Sequence, residues 1–465
     1  MTQASRTASA ARAELHGQRA TIVGLGREGR DLARFLVREG ASVIITDARS
    51  RAALDDEIRS LEQLSPRFSL GGHDTGLLDE TDVIYASPGV PPEIPFLAEA
   101  RRRKVRISSA TELFFQICPA PIIGITGSSG KSTTTAMTGK VLQTAGFEAV
   151  VGGNIGVPVL GLLEQISSSS IVVMELSSFQ LEFMRQSPWI AAVTNVTPNH
   201  LDRHPTMEAY RQAKSQILAH QSVSDWSVLN RDDPQSQLFN TRGRRLEFSQ
   251  RQPVIGAFLK GDVLVRDLDC GQEQVCHRDT IRLRGDHNVA NALTVIATAS
   301  AAAVSVEALA AGIAEFRALP HRLEPVGEIG GASYFNDSIA TSPERSIAAL
   351  LAFSEPIVLL AGGRDKHLPM EDWANLIRQR VHHLVVFGEA AQLIARAVRE
   401  AGLPAGAIIQ VQSLDEAVAA ATEVARPGDV VLLSPGCTSY DAFFDFEARG
   451  ERFRQLVGSK SRGEN

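Results

Sequence analysis

Short apolar runs rich in β-branched residues alternate with helical stretches along almost all of the 465 residues. Such alternation is typical of β-α units, whose strands run parallel and are covered by helices. The pattern therefore predicts an α/β fold with parallel sheets. Because a chain of this length is too long for one hydrophobic core, we expect about three domains.

The apolar runs fall into three groups, and each group predicts one sheet. We expect a flexible tail at residues 1–15, a Rossmann-like domain at 16–112, a central P-loop ATPase-like domain with a parallel sheet at 113–318, and a C-terminal Rossmann-like domain at 319–465. The segment from about Arg242 to Arg284 is mixed and rich in turns. Strands are predicted at Ala20–Gly24, Ser42–Thr46, Asp82–Ala86, Ile122–Thr126, Ile171–Met174, Ile190–Thr194, Pro356–Leu360, His383–Phe387, Ala407–Val411 and Val430–Leu433.

Bulk composition excludes several classes of protein. The net charge of -6 offers no basic surface for a nucleic acid, and no apolar run approaches the roughly 20 residues that span a bilayer. The four cysteines have neither the spacing of a zinc site nor the number needed to crosslink a chain of this size. We expect a cytoplasmic monomer that binds no nucleic acid and does not insert into a membrane.

A glycine-rich turn follows the apolar run Ile122–Thr126 and leads into a predicted helix. It reads Gly127-Ser128-Ser129-Gly130-Lys131-Ser132-Thr133, a variant of the P-loop with Ile125 where the first glycine usually lies. Backbone N–H groups of such a turn surround phosphate oxygens, the lysine reaches the β and γ phosphates, and the serine hydroxyl binds Mg²⁺. The turn predicts an ATP site with Lys131 at its centre. A glycine turn with an incidental lysine is the alternative.

A second glycine turn, Gly24-Leu25-Gly26-Arg27-Glu28-Gly29, follows the first predicted strand, and Asp47 ends the next one. This G-x-G-x-x-G pattern is typical of dinucleotide sites, with the acidic residue on a ribose hydroxyl, so an NAD-dependent dehydrogenase is one interpretation. A nucleotide-sugar diphosphate presents the same pyrophosphate, so a UDP-linked substrate is another. A turn that binds nothing is the third.

Three further side chains are predicted to lie near the phosphate loop. Glu175 ends an apolar strand, where a carboxylate can meet a metal ion, and His200 follows the next strand. Lys214 lies on the helix that comes afterwards. Each has an ordinary structural explanation, but their convergence at one sheet edge indicates a catalytic site.

In sequence order, these motifs resemble those of the Mur ligase family. The resemblance covers nearly the whole chain after the tail and includes further motifs: Gly153-Asn154-Ile155-Gly156, Glu175 to Glu182, Asn195 to Asp202, Tyr210 to Lys214, His287 to Ala292, Leu319 to Glu324, Asn336-Asp337-Ser338 and Ser434 to Ser439. It implies an ATP-dependent amide ligase that adds D-glutamate to UDP-N-acetylmuramoyl-L-alanine through an acyl phosphate, in peptidoglycan precursor synthesis.

The resemblance also implies roles for individual residues. Lys131, Glu175, His200 and Lys214 are the expected catalytic residues, and two Mg²⁺ ions would contact Ser132, Glu175, His200 and Lys214 as its carbamate. ATP would contact the phosphate loop, Asn288, Asn291, Arg322 and Asp337. The UDP-sugar would contact Leu25, Arg27, Asp47, Ser87, Gly89, Asn154 and Ser177, and glutamate Thr341, Lys366, Ser439 and Phe446.

Two positions depart from the family pattern. Ile339 replaces a lysine that many members carry near the substrates, and Ser129 replaces an asparagine of the phosphate loop. The residues do not decide the chirality of the incoming glutamate, so ligation of L-glutamate is an alternative. A folylpolyglutamate synthase and a non-catalytic nucleotide sensor are further alternatives, although the Asn336 and Ser434 segments fit the Mur ligases better.

Overall fold

The computed structural model describes residues 3–155, 158–198, 203, 204, 206–268 and 271–461, with side chains from residue 8 onward. The chain divides into two compact units. The first comprises the residues up to Ile281 together with Val289–Phe316, and the second comprises Arg282–Asn288 and the residues from Arg317 onward.

Strands and helices alternate as expected. The strands are β1 Arg19–Val23, β2 Ser42–Asp47, β3 Arg67–Leu70, β4 Val83–Ala86, β5 Arg106–Ser108, β6 Ile122–Thr126, β7 Ala149–Gly153, β8 Ile171–Glu175, β9 Ile190–Val193, β10 Trp226–Asn230, β11 Arg244–Ser249, β12 Gly256–Lys260, β13 Val263–Leu268, β14 Gly271–His277, β15 Glu324–Ile329, β16 Ala332–Asn336, β17 Ile357–Gly362, β18 Val381–Phe387, β19 Ile408–Gln410 and β20 Val430–Gly436. The α-helices are α1 Gln3–Ala13, α2 Arg27–Arg38, α3 Asp55–Arg59, α4 Pro95–Arg102, α5 Ala110–Ile117, α6 Lys131–Thr144, α7 Ser178–Leu181, α8 Met207–Ala219, α9 Asp286–Ala301, α10 Val306–Glu315, α11 Pro343–Leu350, α12 Glu371–Arg380, α13 Ala391–Glu400, α14 Leu414–Val424 and α15 Phe446–Ser461.

The N-terminal sheet of the first unit is parallel throughout. Among the described residues its order is β3-β2-β1-β4-β5, with Ile22 of β1 between Ile45 of β2 and Tyr85 of β4. The order reverses on the two sides of β1, and the carboxyl end of a strand at such a switch point is where Rossmann folds bind their ligands. The predicted Rossmann-like sheet is confirmed.

The central sheet of the same unit is mixed. Its described strands follow the order β14-β13-β12-β11-β10-β9-β6-β8-β7. The part from β11 to β7 is parallel, and β6, which precedes the phosphate loop, lies between β9 and β8. β12, β13 and β14 add an antiparallel meander in the segment that we expected to be mixed. The predicted strands at β6, β8 and β9 are confirmed.

The second unit contains one sheet in its described part, with the order β15-β16-β20-β17-β18-β19. The four strands predicted there appear as β17 to β20 and pair in parallel. β17 and β20 are buried along their whole length, which explains their continuous apolar sequences. An antiparallel hairpin of β15 and β16, which the sequence analysis did not predict, extends the sheet. The exact domain bounds stay a prediction.

The start of the chain differs from the expected flexible tail. Residues Gln3–Ala13 form α1, which contacts α5, and Leu15 is only 2% exposed within the hydrophobic core. The guanidinium of Arg12 forms an ion pair with Glu39, with an N–O distance of 2.6 Å. A buried leucine and a cross-element ion pair fix a segment whose own sequence is polar and small, because tertiary packing outweighs local composition.

Substitution of Leu15 by alanine tests this difference. If Leu15 belongs to the core, the substitution should lower the free energy of unfolding by about 2–5 kcal/mol, because it removes buried contacts and leaves a cavity. Leu238→Ala is the matched control: Leu238 is 56% exposed, so its truncation should cost at most about 0.5 kcal/mol. Urea unfolding of each variant and of the wild-type protein gives both changes in the free energy of unfolding. Equally small losses of unfolding free energy in the two variants would show that Leu15 does not pack in the hydrophobic core.

Candidate active site

The phosphate loop joins β6 to α6. β6 ends at Thr126, and α6 begins at Lys131, with Ser132 and Thr133 in its first turn. Gly130 has a φ of 80°, and a Cβ atom there would lie 2.3 Å from the side-chain oxygen of Asn291. Only glycine tolerates this combination of left-handed backbone and close approach. The loop therefore leads directly into the N-terminus of α6, the positive end of the helix dipole.

The segment that follows β9 holds the loop in shape. The Ser129 N–H donates to the side-chain oxygen of Asn195 over 3.0 Å, and the Thr194 hydroxyl donates to the Ser129 carbonyl over 2.7 Å. The Ser128 hydroxyl donates to the carbonyl of Thr197 over 2.9 Å. These bonds fix the loop against the segment after β9, and they pair the Ser129 N–H with Asn195.

The ammonium groups of Lys131 and Lys214 meet at one carbonyl. Both donate to the Gly127 oxygen, over 3.0 Å and 2.8 Å, and Lys131 also donates to the Ser128 carbonyl. Lys214 is 1% exposed, and its Nζ lies 4.6 Å from the ring centroid of Tyr210. Burial and the charge of Lys131 lower the pKa of Lys214 well below its ordinary value, while Glu175 acts in the opposite direction. Burial and the neighbouring Lys131 thus both disfavour the charged ammonium at Lys214.

Glu175 lies at the carboxyl end of β8 and is 2% exposed. One carboxylate oxygen accepts a hydrogen bond from the amide of Asn154 over 2.7 Å. The other oxygen is buried and has no hydrogen-bond partner among the described residues. A buried carboxylate oxygen without a donor is costly unless a cation or a ligand completes its surroundings.

In the N-terminal sheet, Asp47 closes the first glycine turn from the end of β2. Its carboxylate accepts from the Leu25 N–H over 2.8 Å and forms an ion pair with Arg49 at 2.9 Å. Burial alone would raise the pKa of Asp47, but the hydrogen bonds from Arg49 and Leu25 outweigh it, so the pKa lies below its usual value. The carboxylate thus remains charged and orders the turn.

The rest of this turn is equally well defined. A Cβ atom at Gly29 would lie 2.3 Å from the Gly24 carbonyl, so the helix can start this close to β1 only with glycine there. The Ser87 hydroxyl donates to the same Gly24 carbonyl over 2.8 Å. Arg27 is exposed at the start of α2, and a Cβ atom at Gly89 would meet open space. Leu25, Arg27, Asp47 and Ser87 are thus brought together around the turn.

In the second compact unit, Asp337 is buried at the end of β16. It accepts hydrogen bonds from the Ser434 hydroxyl over 2.9 Å and from the Leu323 N–H over 3.2 Å. Burial raises the pKa of Asp337 to about 7, although Ser434 and the charge of Arg322 act against this shift. The structure therefore brings three residues from separate motifs into one cluster: Arg322, Asp337 and Ser434.

The residues expected to hold glutamate lie on loops of this unit and at the start of α15. The ammonium of Lys366 donates to the Thr341 hydroxyl over 3.3 Å. Burial and the charge of Arg345 lower the pKa of Lys366. Ser439 is buried, and Phe446 is half-buried at the first position of α15.

Asn288 and Asn291 both lie on α9 and are both buried. The Asn288 amide donates to the Arg284 carbonyl over 2.7 Å, and the Thr134 hydroxyl donates to the Asn291 oxygen over 3.3 Å. Ser177 precedes α7 and caps it, since its hydroxyl accepts from the Gln180 N–H. His200 lies outside the described residues, as does the whole segment from Asn199 to Asp202. The ligand roles of all these residues stay predictions.

Arg449 is a residue that the sequence analysis missed. Its guanidinium is fully buried, donates to the hydroxyl and carbonyl of Ser338 over 3.0 and 2.9 Å, and reaches the Cys437 carbonyl over 3.2 Å. Burial lowers its pKa to about 10. The side chain ties the ends of β16 and β20 to α15, which together carry Asp337, Ser439 and Phe446. Only its position three residues after Phe446 could have indicated this role.

Comparisons with known proteins agree with this arrangement. Family models match residues 18–109 (Mur ligase MurD-like, N-terminal domain), 125–299 (Mur ligase middle domain) and 321–437 (Mur ligase, glutamate ligase domain). A UDP-N-acetylmuramoylalanine--D-glutamate ligase from Symbiobacterium thermophilum is 42% identical over 449 residues, 96% of this chain and 98% of that protein. One from Roseiflexus sp. is 40% identical over 463 residues, 96% and 99% of the two chains.

Solved structures share the fold at lower identity. The UDP-N-acetylmuramate-alanine ligase MurC from Thermotoga maritima has a TM-score of 0.60 at 19% identity and covers 95% of this chain and 99% of its own. MurF from Acinetobacter baumannii has a TM-score of 0.57 at 19% identity, with coverages of 96% and 92%. These likenesses establish the three-domain architecture that the sequence predicted.

Substitution of Arg449 by methionine should show that it holds the loops together. The substitution keeps the aliphatic volume but leaves buried carbonyl groups without donors, each at a cost of about 1–3 kcal/mol, which the removal of a buried charge offsets only in part. We expect a lower free energy of unfolding in urea. Arg452→Met is the control on the same helix, because its ion pair with Asp415 is exposed and worth at most about 1 kcal/mol. Equal effects of the two substitutions would contradict the role of Arg449.

Proposed function

The chain belongs to the Mur ligase family, and from that premise we propose that it uses ATP to join D-glutamate to UDP-N-acetylmuramoyl-L-alanine. The relatives that match nearly the whole chain carry this activity in their names. The product would be a peptidoglycan precursor, so the reaction would contribute to cell-wall synthesis. An NAD-dependent dehydrogenase is not favoured, because the glycine turn of the N-terminal sheet belongs to the matched ligase domain.

One observation supports the proposal most directly: Lys131 and the buried Lys214 converge on the Gly127 carbonyl. Two lysine side chains at one loop are stabilised by nearby negative charge, and the phosphates of ATP would provide that charge. Hydrogen bonds with the segment after β9 hold the loop in place. It therefore suits phosphoryl transfer, in which catalysis rests on positioning and on charge stabilisation.

The residues near the loop fit a divalent cation. Glu175 keeps one buried carboxylate oxygen without a described partner, and Ser132 places a hydroxyl in the first turn of α6. Oxygen ligands of this kind suit Mg²⁺, which would neutralise charge on the transferring phosphoryl group. We propose two Mg²⁺ ions, held by Ser132, Glu175, His200 and Lys214 in its carbamate form.

The environment of Lys214 favours a carbamate. Burial and the neighbouring Lys131 disfavour the ammonium, so the neutral amine is available as a nucleophile toward CO₂. Addition of CO₂ to the amine releases one proton and leaves a carbamate. This group replaces a potential positive charge with a negative one, which would complete the oxygen ligands beside Glu175 and would pair with Lys131.

The reaction must first activate the terminal alanine carboxylate, because a carboxylate is a poor electrophile. Transfer of the γ-phosphoryl group makes an acyl phosphate and releases ADP. Lys131 and the loop N–H groups would hold the phosphate oxygens during the transfer. The glutamate amine then attacks the acyl carbon, the tetrahedral intermediate collapses, and phosphate leaves with its bonding electron pair while the nitrogen loses a proton.

The N-terminal turn would hold the sugar nucleotide, with Leu25, Arg27, Asp47, Ser87, Gly89, Asn154 and Ser177 as its contacts. We propose that Asn288, Asn291, Arg322 and Asp337 bind ATP, and that Thr341, Lys366, Ser439 and Phe446 bind glutamate. The proposed domains are 16–112, 113–318 and 319–465. Lys366 supports an acidic amino acid as the substrate, since its ammonium group can form an ion pair with a carboxylate.

No helix within the described residues is both long and apolar enough to cross a membrane. A cytoplasmic location and a monomeric state remain part of the proposal. The names of the relatives specify D-glutamate, so the alternative of L-glutamate is not favoured.

Release of phosphate from ATP tests the function. We expect the purified protein with Mg²⁺ to release phosphate only when UDP-N-acetylmuramoyl-L-alanine and D-glutamate are both present, since attack by the amine completes the turnover. L-glutamate in place of D-glutamate is the control for chirality. Release with L-glutamate alone would change the product but keep the mechanism, and no release with either would contradict the proposed function.

Substitution of Lys131 by methionine tests the phosphate loop. Removal of a charge that contacts the migrating phosphoryl group should lower kcat by about a hundredfold or more, since such groups contribute several kcal/mol to the transition state. Lys140→Met, on the same helix but paired with Glu315 near the surface, is the matched control and should keep nearly full activity. Comparable activities of the two variants would refute the assignment.

The carbamate of Lys214 can be detected directly. After incubation with ¹³C-labelled bicarbonate, the wild-type protein should show a ¹³C carbamate resonance by NMR, because the buried neutral amine adds CO₂. The resonance should be absent from Lys214→Arg and present in Lys140→Met. A signal that persists in Lys214→Arg would assign the carbamate to another amine.

A further inference from the structure

Glu28 occupies an unusual place in the first glycine turn. It is the second residue of α2, directly before Gly29. One of its carboxylate oxygens accepts a hydrogen bond from the Gln180 amide over 2.7 Å. The other oxygen is buried and has no hydrogen-bond partner among the described residues. Like Glu175, Glu28 therefore keeps one buried oxygen without a described donor, which is costly for a charged carboxylate.

Gln180 connects Glu28 to the central sheet of the same compact unit. Its side-chain oxygen accepts from the Ser177 N–H over 2.9 Å and from the Ser177 hydroxyl over 3.1 Å. Gln180 itself is buried. One amide therefore links the carboxyl group of the N-terminal turn to Ser177, a proposed contact of the sugar nucleotide.

The surroundings favour the neutral form of Glu28. Its pKa is raised to about 7, chiefly by burial and to a smaller degree by the charge of Asp31, while the hydrogen bond from Gln180 acts in the opposite direction. The carboxyl group is thus mostly protonated below this pH and mostly charged above it. Gln180 faces it from α7 and is uncharged, while Arg27, Arg30 and Asp31 are the ionisable neighbours on α2.

A charged Glu28 would conflict with the proposed ligand. The glycine turn and the N-terminus of α2 attract a diphosphate through N–H groups and the helix dipole. A carboxylate among them would repel the diphosphate at short range in a poorly solvated site. A protonated carboxyl group removes the repulsion and offers an O–H donor at the oxygen that has no partner.

We propose that Glu28 takes up a proton when the diphosphate of the sugar nucleotide binds, and that the neutral carboxyl group donates a hydrogen bond to a phosphate oxygen. Glu28 is then a pH-dependent determinant of sugar-nucleotide affinity. The inference rests on the proposed function, because it takes the N-terminal turn as the diphosphate site. The proton comes from solvent, and no covalent bond changes.

Calorimetric titration of the wild-type protein with UDP-N-acetylmuramoyl-L-alanine measures the proton directly. The titration is repeated at about pH 8 in two buffers with different ionisation enthalpies, and the difference in heat gives the protons taken up. The diesterified diphosphate has no group that titrates near neutral pH. We expect uptake of nearly one proton, and an apparent Kd that rises about tenfold per pH unit above pH 7.

Glu28→Gln keeps the shape and the acceptor for Gln180 but cannot titrate. It should bind without proton uptake, with a Kd that is independent of pH over this range. Glu62→Gln, an exposed position in the same sheet domain, should behave as wild type. Asp31→Asn and His73→Asn test the nearby groups whose own pKa values are shifted, and both should retain the uptake.

The outcomes separate this inference from the proposed function. Binding without proton uptake in the wild type would overturn the role of Glu28 while leaving the function intact. Loss of the uptake in Asp31→Asn or His73→Asn, with uptake retained in Glu28→Gln, would also overturn it. If the wild-type protein does not bind the sugar nucleotide at any pH, the proposed function itself fails.

Discussion

The hydrogen bonds from Lys131 and Lys214 to the Gly127 carbonyl are the constraint on which the site depends. They bring the phosphate loop and the buried Lys214 of α8 together at one oxygen, and Thr194 and Asn195, which follow β9, hold the loop in place. A buried ammonium beside a second one is unfavourable, so the arrangement disfavours charge at Lys214. The same constraint favours anionic groups, such as carboxylates and phosphates, as partners of the two lysines.

Much of the fold was predictable, for a physical reason. β6, β8, β17 and β20 are buried on both faces, so their sequences are continuous apolar runs that stand out from the rest. β3 and β5 are short edge strands with exposed residues, and β15 alternates between exposed and half-buried positions. Such strands carry little signal, because pairing with a neighbour and not their own composition determines them. α1 was missed because its stability comes from contacts with residues far along the chain.

The site shows a similar division. The phosphate loop, Asp47 and Glu175 were predictable, because each is tied to a strand end with a recognisable local pattern. Glu28 lies inside a motif whose signal is its glycines, so the sequence said nothing about a bond to Gln180, 152 residues away. Arg449 lies in a helix rich in charged residues, so its sequence does not distinguish it from the exposed arginines nearby. Its burial results from contacts with Ser338 and Cys437, which both precede the helix in the chain. Contacts over long sequence separations are what composition and periodicity cannot report.

The buried ionisable groups follow a common pattern. Lys214, Glu28 and Asp337 each have a pKa shifted toward the neutral form by burial. Glu28 lies at the start of α2, Asp337 directly follows β16, and Lys214 lies in the middle of α8. Apolar residues at these places would stabilise the fold more, because a buried ionisable group is costly when it is charged. Retention of such groups beside glycine turns is typical of sites that bind charged ligands. A neutral amine can react with CO₂ and a neutral carboxyl group can approach a phosphate, so burial prepares each group for a partner that its charged form would not accept.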